Sequence, residues 1–175
     1  MTMDLKPFIR EVPDWPVAGV NFKDITTLLQ DYKLLKYVVD KMIEPFKDIK
    51  IDKIVAIDAR GFLFATPIAY NIGCGVSLVR KEGKLPSKTI AESYEKEYGL
   101  DILTMHEDTL EKGEKVLIVD DLLATGGTIE ATIKMIERLG AEVIGASFII
   151  DLPFLGGSDR LSNYKLHWLV SYDEE

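Results

Sequence analysis

Four apolar residues in succession, Val116, Leu117, Ile118 and Val119, constrain this chain more than any other stretch. A run without polar alternation reads as a strand buried on both faces, the habit of parallel sheets covered by helices. Two adjacent carboxylates, Asp120 and Asp121, stand where that strand should end. A turn of small residues, Ala124-Thr125-Gly126-Gly127-Thr128, then leads into an amphipathic run with Ile129, Ile133, Ile136 and Leu139 on one face. Glycines let backbone N–H groups approach a ligand closely, and the start of the following helix carries partial positive charge. This suits a phosphate held by the turn, with hydroxyl groups beside it held by the aspartates. Taken singly, Gly-Gly serves any tight strand–helix turn, and paired aspartates often cap helices or face solvent. No Gly-Lys-Ser/Thr follows, so this is not a Walker loop, and the three glycines of a dinucleotide fingerprint are missing.

Other strand ends carry polar groups too. The run 54–57 ends in Asp58-Ala59-Arg60-Gly61-Phe62, where Asp58 and Arg60 could be no more than a surface ion pair. Residues 61–72 look helical, with Pro67 interrupting. The run 76–79 ends in Arg80-Lys81-Glu82-Gly83-Lys84, three cations that form either a solvated loop or a clamp for a diphosphate. Ligands bind at the carboxyl edge of open α/β sheets, so three such ends converging there outweigh any one motif. Apolar spacing at Leu34, Leu35, Val38, Val39, Met42 and Ile43 predicts a helix over 31–46. Further strands are expected over 141–150 and 166–170, with a turn-rich connection at 153–158. Residues 87–108 are polar, dotted with tyrosines and poorly periodic, which reads as a mobile excursion or β-ribbon able to serve as a lid. Residues 1–30 read as an irregular arm, since Pro13 and Pro16 oppose a helix. Phe22 in that arm packs on the core by default, or stacks on a planar ligand if exposed. His106 and His167 read as structural or exposed. The alternation of strands and helices gives an α/β fold with a mostly parallel central sheet flanked by helices.

At 175 residues the chain suits one domain with a proper core. Its net charge of −8 argues against a general nucleic-acid surface, because counterion release needs clustered cations. Cys74 stands alone, so neither a disulfide framework nor a cysteine metal site is expected. No run reaches transmembrane length and no signal peptide is visible, so the expected location is cytoplasmic, away from membranes.

The carboxylate pair and its Thr/Gly-rich turn resemble the phosphoribosyl-diphosphate loop of the purine phosphoribosyltransferases. The form Asp-Asp-Leu-Leu-Ala-Thr-Gly-Gly-Thr is most like that of the adenine-specific members. The motifs at 19–25, 58–62, 80–86 and 93–99 follow in the same order. The resemblance implies the type I phosphoribosyltransferase fold, with a base-binding hood arm at 1–30 and a lid loop at 87–101. It implies the reaction of adenine with 5-phosphoribosyl 1-diphosphate, aided by Mg2+, to give AMP and diphosphate in purine salvage. Ala124, Thr125, Gly126, Gly127 and Thr128 would then hold the 5′-phosphate, and Asp120 and Asp121 the ribose hydroxyls. Arg60 and the backbone at Ala59 would take the diphosphate, with Lys81 and Lys84 adding charge. Phe22 would stack on adenine while the backbone of Asn21 and Lys23 reads its edge. Glu97 would exchange a proton near adenine N7, with Tyr98 beside it in the lid. Family members are homodimers, and Arg80 would reach the neighbouring site. A cis peptide is also implied at Asp58–Ala59. Ala18, Asn21 and Lys23 depart from the commoner family residues, and the last 25 positions match no motif. A related enzyme for guanine, hypoxanthine or xanthine, or a nucleotide-sensing regulator without catalysis, remain the alternatives.

Overall fold

The computed structural model describes residues 3–95 and 99–174. The arm contains more order than its prolines suggest. Three-residue strands β1 (Arg10–Val12) and β2 (Phe22–Asp24) pair antiparallel, with Val12 opposite Phe22 and Arg10 opposite Asp24. Two helices follow, α1 (Thr26–Gln30) and α2 (Tyr32–Ile43). Asp31 starts the second by accepting from the backbone N–H of Lys33 at 2.7 Å and of Leu34 at 3.3 Å.

The body then alternates as expected. It runs β3 (Lys53–Ile57), α3 (Gly61–Ile72), β4 (Gly75–Lys81), β5 (Thr89–Glu95), β6 (Leu100–His106), β7 (Lys115–Val119) and β8 (Leu122–Leu123). It finishes with α4 (Gly127–Arg138), β9 (Glu142–Asp151), α5 (Gly157–Arg160) and β10 (Leu166–Ser171). The main sheet has the order β10-β9-β7-β3-β4-β6-β5, and β8 adds to the end of β9. Pairs from β10 to β4 are parallel; β6 and β5 form an antiparallel ribbon at one edge. The polar stretch 87–108 is therefore largely this ribbon. Pro67 does not end α3, because Phe64, Ala65, Ile68 and Ala69 are all buried and hold the helix against the sheet.

Burial on both faces explains the apolar runs. Ile54, Ala56, Leu117 and Val119 point into a core shared with α2 and α3. Val55, Ile57, Val116 and Ile118 point into a second core under α4, with Ile129, Ile133 and Ile136. Successive residues of β3 and β7 thus alternate between two apolar layers. The histidines are structural: His106 bonds the Pro86 carbonyl at 2.6 Å, and His167 the Lys41 carbonyl at 3.0 Å. Among the described residues, no helix is long and apolar enough to cross a membrane.

Candidate active site

The carboxyl ends of β3 and β7 and the start of α4 enclose a cleft of about 270 Å³. Its wall brings together Asp58, Ala59, Arg60, Lys81, Asp120, Asp121, Ala124, Thr125, Gly126 and Thr128. Two neighbouring parallel strands, β3 and β7, stop at one level and so place residues 58–60 beside 120–121. The approach is close. A Cβ on Gly61, at the start of α3, would lie 2.9 Å from the Val119 carbonyl oxygen and 3.0 Å from Asp120 Oδ1. The Asp58–Ala59 peptide in this wall is cis, as the resemblance implies.

The ion pairs differ from the simplest reading of the sequence. Asp58 and Arg60 do not pair with each other. Arg60 Nε instead reaches across to Asp121 Oδ2 at 2.7 Å, and Arg80 Nε takes Asp58 Oδ2 at 2.8 Å. Register decides this, because Ile57 lies beside Val79 and so Asp58 meets the end of β4. Arg80 also donates to the Lys84 carbonyl at 3.2 Å, which organises the cationic loop. Lys81 lines the cleft and pairs with Asp101 at 3.1 Å. Lys84 is exposed, and of the three cations Arg80, Lys81 and Lys84 it is Lys81 that lines the cleft wall, with Arg60.

Asp121 is 5 % exposed. Asp120 Oδ1 accepts from the Asp121 N–H at 2.8 Å. Desolvation, followed by the charge of Asp121, pushes the Asp120 carboxyl well above the usual carboxylate range. Burial raises Asp121 as well, against the pull of the Arg60 guanidinium. Beyond them, helix α4 begins just after Gly126, which supplies no side-chain cap. Its first N–H groups lack partners within the helix and face the cleft end, where an anion would be stabilised.

The arm residues Asn21, Phe22 and Lys23 sit apart from this cleft. Phe22 lines a second pocket of about 320 Å³ with Val12, Trp15 and Asp24. Its ring meets Trp15 edge-on with centroids 4.5 Å apart, and the Arg60 guanidinium lies 5.2 Å from its centroid. Arg60 therefore bridges the two pockets. Asn21 and Lys23 turn their side chains elsewhere, both donating to Glu11 Oε2, at 2.6 and 2.8 Å. Lys23 is 6 % exposed and its ammonium sits 4.3 Å from the Tyr172 ring centroid. Those hydrogen bonds, Lys23 first, hold the Glu11 carboxyl below its ordinary range. Glu97 and Tyr98 lie outside the described residues.

Sequence reasoning passed over Tyr94. This side chain of β5 lines the cleft, and a Cβ on Gly127 would lie 3.2 Å from its ring carbon Cδ2. Its hydroxyl donates to Asp101 Oδ2 at 3.2 Å, a cross-strand pair that register alone reveals. The ribbon is rooted on α4 as well, where Arg138 donates to the Ala91 carbonyl at 2.6 Å and pairs with Glu92 at 3.5 Å.

The raised carboxylates have a stability consequence. A folded-state pKa above the unfolded value makes ionisation costly to the fold. Stability from these groups is complete below the unfolded carboxylate range and is lost as pH rises through the folded value. Asp120→Asn keeps an Oδ1 acceptor and removes the charge. The unliganded variant should melt higher than the parent at about pH 7.5, and the gap should close towards about pH 4. Activity should fall on the order of a hundredfold, as for loss of one preorganised electrostatic group. Thermal melts across pH with parallel activity assays check both; a variant that melts lower at neutral pH contradicts the assignment.

Comparison with known proteins places this chain in a family. The family model for the phosphoribosyl transferase domain matches residues 24–171. A curated adenine phosphoribosyltransferase of Clostridium botulinum is 54% identical over 171 residues, covering 98% of this chain and 99% of the relative. The crystal structure of adenine phosphoribosyltransferase from Rhodothermus marinus superposes with a TM-score of 0.92 at 46% identity, covering 96% of each chain. The Saccharomyces cerevisiae adenine phosphoribosyltransferase, solved with an imino-altritol bisphosphate and adenine, gives 0.90 at 35% identity, over 95% of this chain and 96% of that one. The chain belongs to the phosphoribosyl transferase family.

Proposed function

We infer that this chain transfers the 5-phosphoribosyl group of 5-phosphoribosyl 1-diphosphate to adenine, releasing AMP and diphosphate. The observation that carries the reading is the meeting of two desolvated carboxylates, the Arg60 guanidinium and the uncapped start of α4 in one cleft. The 54% identity to an adenine phosphoribosyltransferase supports adenine as the base.

Each group has work in that reaction. The C1–oxygen bond to diphosphate breaks while adenine N9 bonds to C1, so positive charge grows on the ribose and negative charge on the leaving group. Asp120 and Asp121 hold the ribose hydroxyls and stabilise the growing positive charge. Arg60, with the Ala59 backbone and Lys81, receives the diphosphate; Lys84 adds charge at its margin, and Arg80 reaches the neighbouring subunit's site. Residues 124–128 hold the 5′-phosphate through their N–H groups and the Thr125 and Thr128 hydroxyls. Phe22 stacks on adenine, and the backbone of Asn21 and Lys23 reads the edge of the base. Glu97 takes the proton that adenine loses, and Tyr98 contributes to substrate binding. The arm over 1–30 forms the hood and 87–101 the lid, whose closure keeps water from the reactive sugar.

Mg2+ fits the donor set as a guest of the substrate. Among the described residues no group of three or more His, Cys, Asp or Glu could form a cage, whereas Asp120 and Asp121 offer two hard oxygen donors beside the cleft. Held mainly through diphosphate, ribose and water, with these carboxylates near by, the ion would neutralise charge on the leaving group. A second copy of the chain suits the exposed apolar side chains of α3 and β4, Leu63, Tyr70 and Leu78, which supports a homodimer. We place the enzyme in the cytoplasm, acting on small molecules.

Diphosphate release, measured with phosphoribosyl diphosphate, Mg2+ and each purine base in turn, tests the function. Turnover with adenine well above guanine, hypoxanthine and xanthine is expected; no turnover with adenine, or faster turnover with guanine, overturns it. In the same assay Glu97→Ala should lower kcat roughly a hundredfold or more with little change in phosphoribosyl-diphosphate affinity. Equal losses in both would reduce Glu97 to positioning the lid.

A further inference from the structure

The turn at 124–127 is backed from behind by a segment that no motif singled out. At Gly157, the first residue of α5, a Cβ would lie 2.2 Å from the Ala124 carbonyl oxygen and 2.9 Å from the Gly126 nitrogen. The contact is mutual, since a Cβ on Gly126 would meet Gly157 Cα at 3.2 Å. Both partners are main chain, so no side-chain rotation can relieve the clash. The two adjacent glycines differ in what they require. Gly156 has φ +76° with nothing within 4 Å of its Cβ position, so its backbone conformation asks for glycine. Gly157 has no such φ, and only lack of space asks for glycine there.

Nor can the backing segment easily retreat. Before it, the Leu152 N–H donates to the Leu123 carbonyl at 3.0 Å. After it, Leu161 is 2 % exposed in the core beneath α4 and lies 3.4 Å from the Cβ position of Gly126. Arg160 of α5 pairs with Glu130 of α4. A fixed segment with no side chain at its contact point therefore sets how deep the turn lies. We propose that Gly157 is a positioning residue for the 5′-phosphate, acting through the backbone of Ala124 and Gly126. This rests on the reading of 124–128 as the phosphate turn. A methyl group at Gly157 would press on the Ala124 carbonyl and the Gly126 nitrogen and so shift the turn backbone whose N–H groups hold the phosphate. Displacements near 1 Å are costly to oriented groups.

The test is binding of ribose 5-phosphate by calorimetry, with steady-state kinetics, on Gly157→Ala. Ribose 5-phosphate affinity should fall by about tenfold or more, and KM for phosphoribosyl diphosphate should rise with it, while KM for adenine stays within about twofold. A general loss of structure would move both substrates together, so parallel losses overturn the proposal, as does unchanged ribose 5-phosphate affinity in a folded variant. Should Gly157→Ala fail to fold, Leu161→Val loosens the same backing by one methylene. It should weaken ribose 5-phosphate in preference to adenine, and an equal effect on both overturns the proposal. A Thr125→Ala, Thr128→Ala double variant separates the two layers. If it binds ribose 5-phosphate normally, the phosphate-turn reading has failed and the proposal with it; if it binds weakly while Gly157→Ala does not, only the role of Gly157 is lost.

Discussion

Two carboxylates side by side at the end of a buried strand repel each other and resist desolvation, and much of the surrounding structure exists to hold them there. The cost is met locally. Arg60 approaches Asp121 at 2.7 Å, the Asp121 N–H donates back to Asp120, and Gly61 lets α3 close on the strand end without a side chain between. Such a site is unfavourable when empty and favourable when a ligand brings hydroxyl donors and positive charge. In the proposed reaction, stability is exchanged for a site complementary to a sugar that becomes cationic.

Position in the sheet distributes the remaining functions. The central strand β7 delivers the carboxylates and continues into the turn that starts α4. Its neighbour β3 delivers Arg60, and β4 delivers Arg80 and Lys81. The proposed base platform belongs to a separate small unit, the β1–β2 pair, anchored by Lys23 between Glu11 and the Tyr172 ring. Arg60, which meets both Asp121 and the Phe22 ring, links the cleft to the Phe22 pocket. In the proposed assignment the sheet thus specifies the phosphoribosyl donor, and the arm specifies the acceptor.

The body of the fold was readable because its strands are buried on both faces. An uninterrupted apolar run such as 116–119 or 54–57 has few other uses, and the period of α2 and α4 follows from one buried face. The carboxylates and the turn were equally readable, being contiguous. Contacts between distant segments were not. Spacing placed Asp58 near Arg60, but strand register gave Asp58 to Arg80 and Arg60 to Asp121. The β1–β2 pair was hidden by prolines and by its length of three residues a strand. Tyr94 and Gly157 matter through neighbours more than thirty positions away, and a lone tyrosine or a glycine pair carries no trace of that in one sequence.

The most direct test is a crystal structure of the enzyme with ribose 5-phosphate, Mg2+ and adenine. The expected map has the phosphate against the N–H groups of 125–128, ribose hydroxyls on Asp120 and Asp121, and adenine on the Phe22 ring. A phosphate seated elsewhere with 124–128 empty, or a base bound away from Phe22, would contradict this division between sheet and arm.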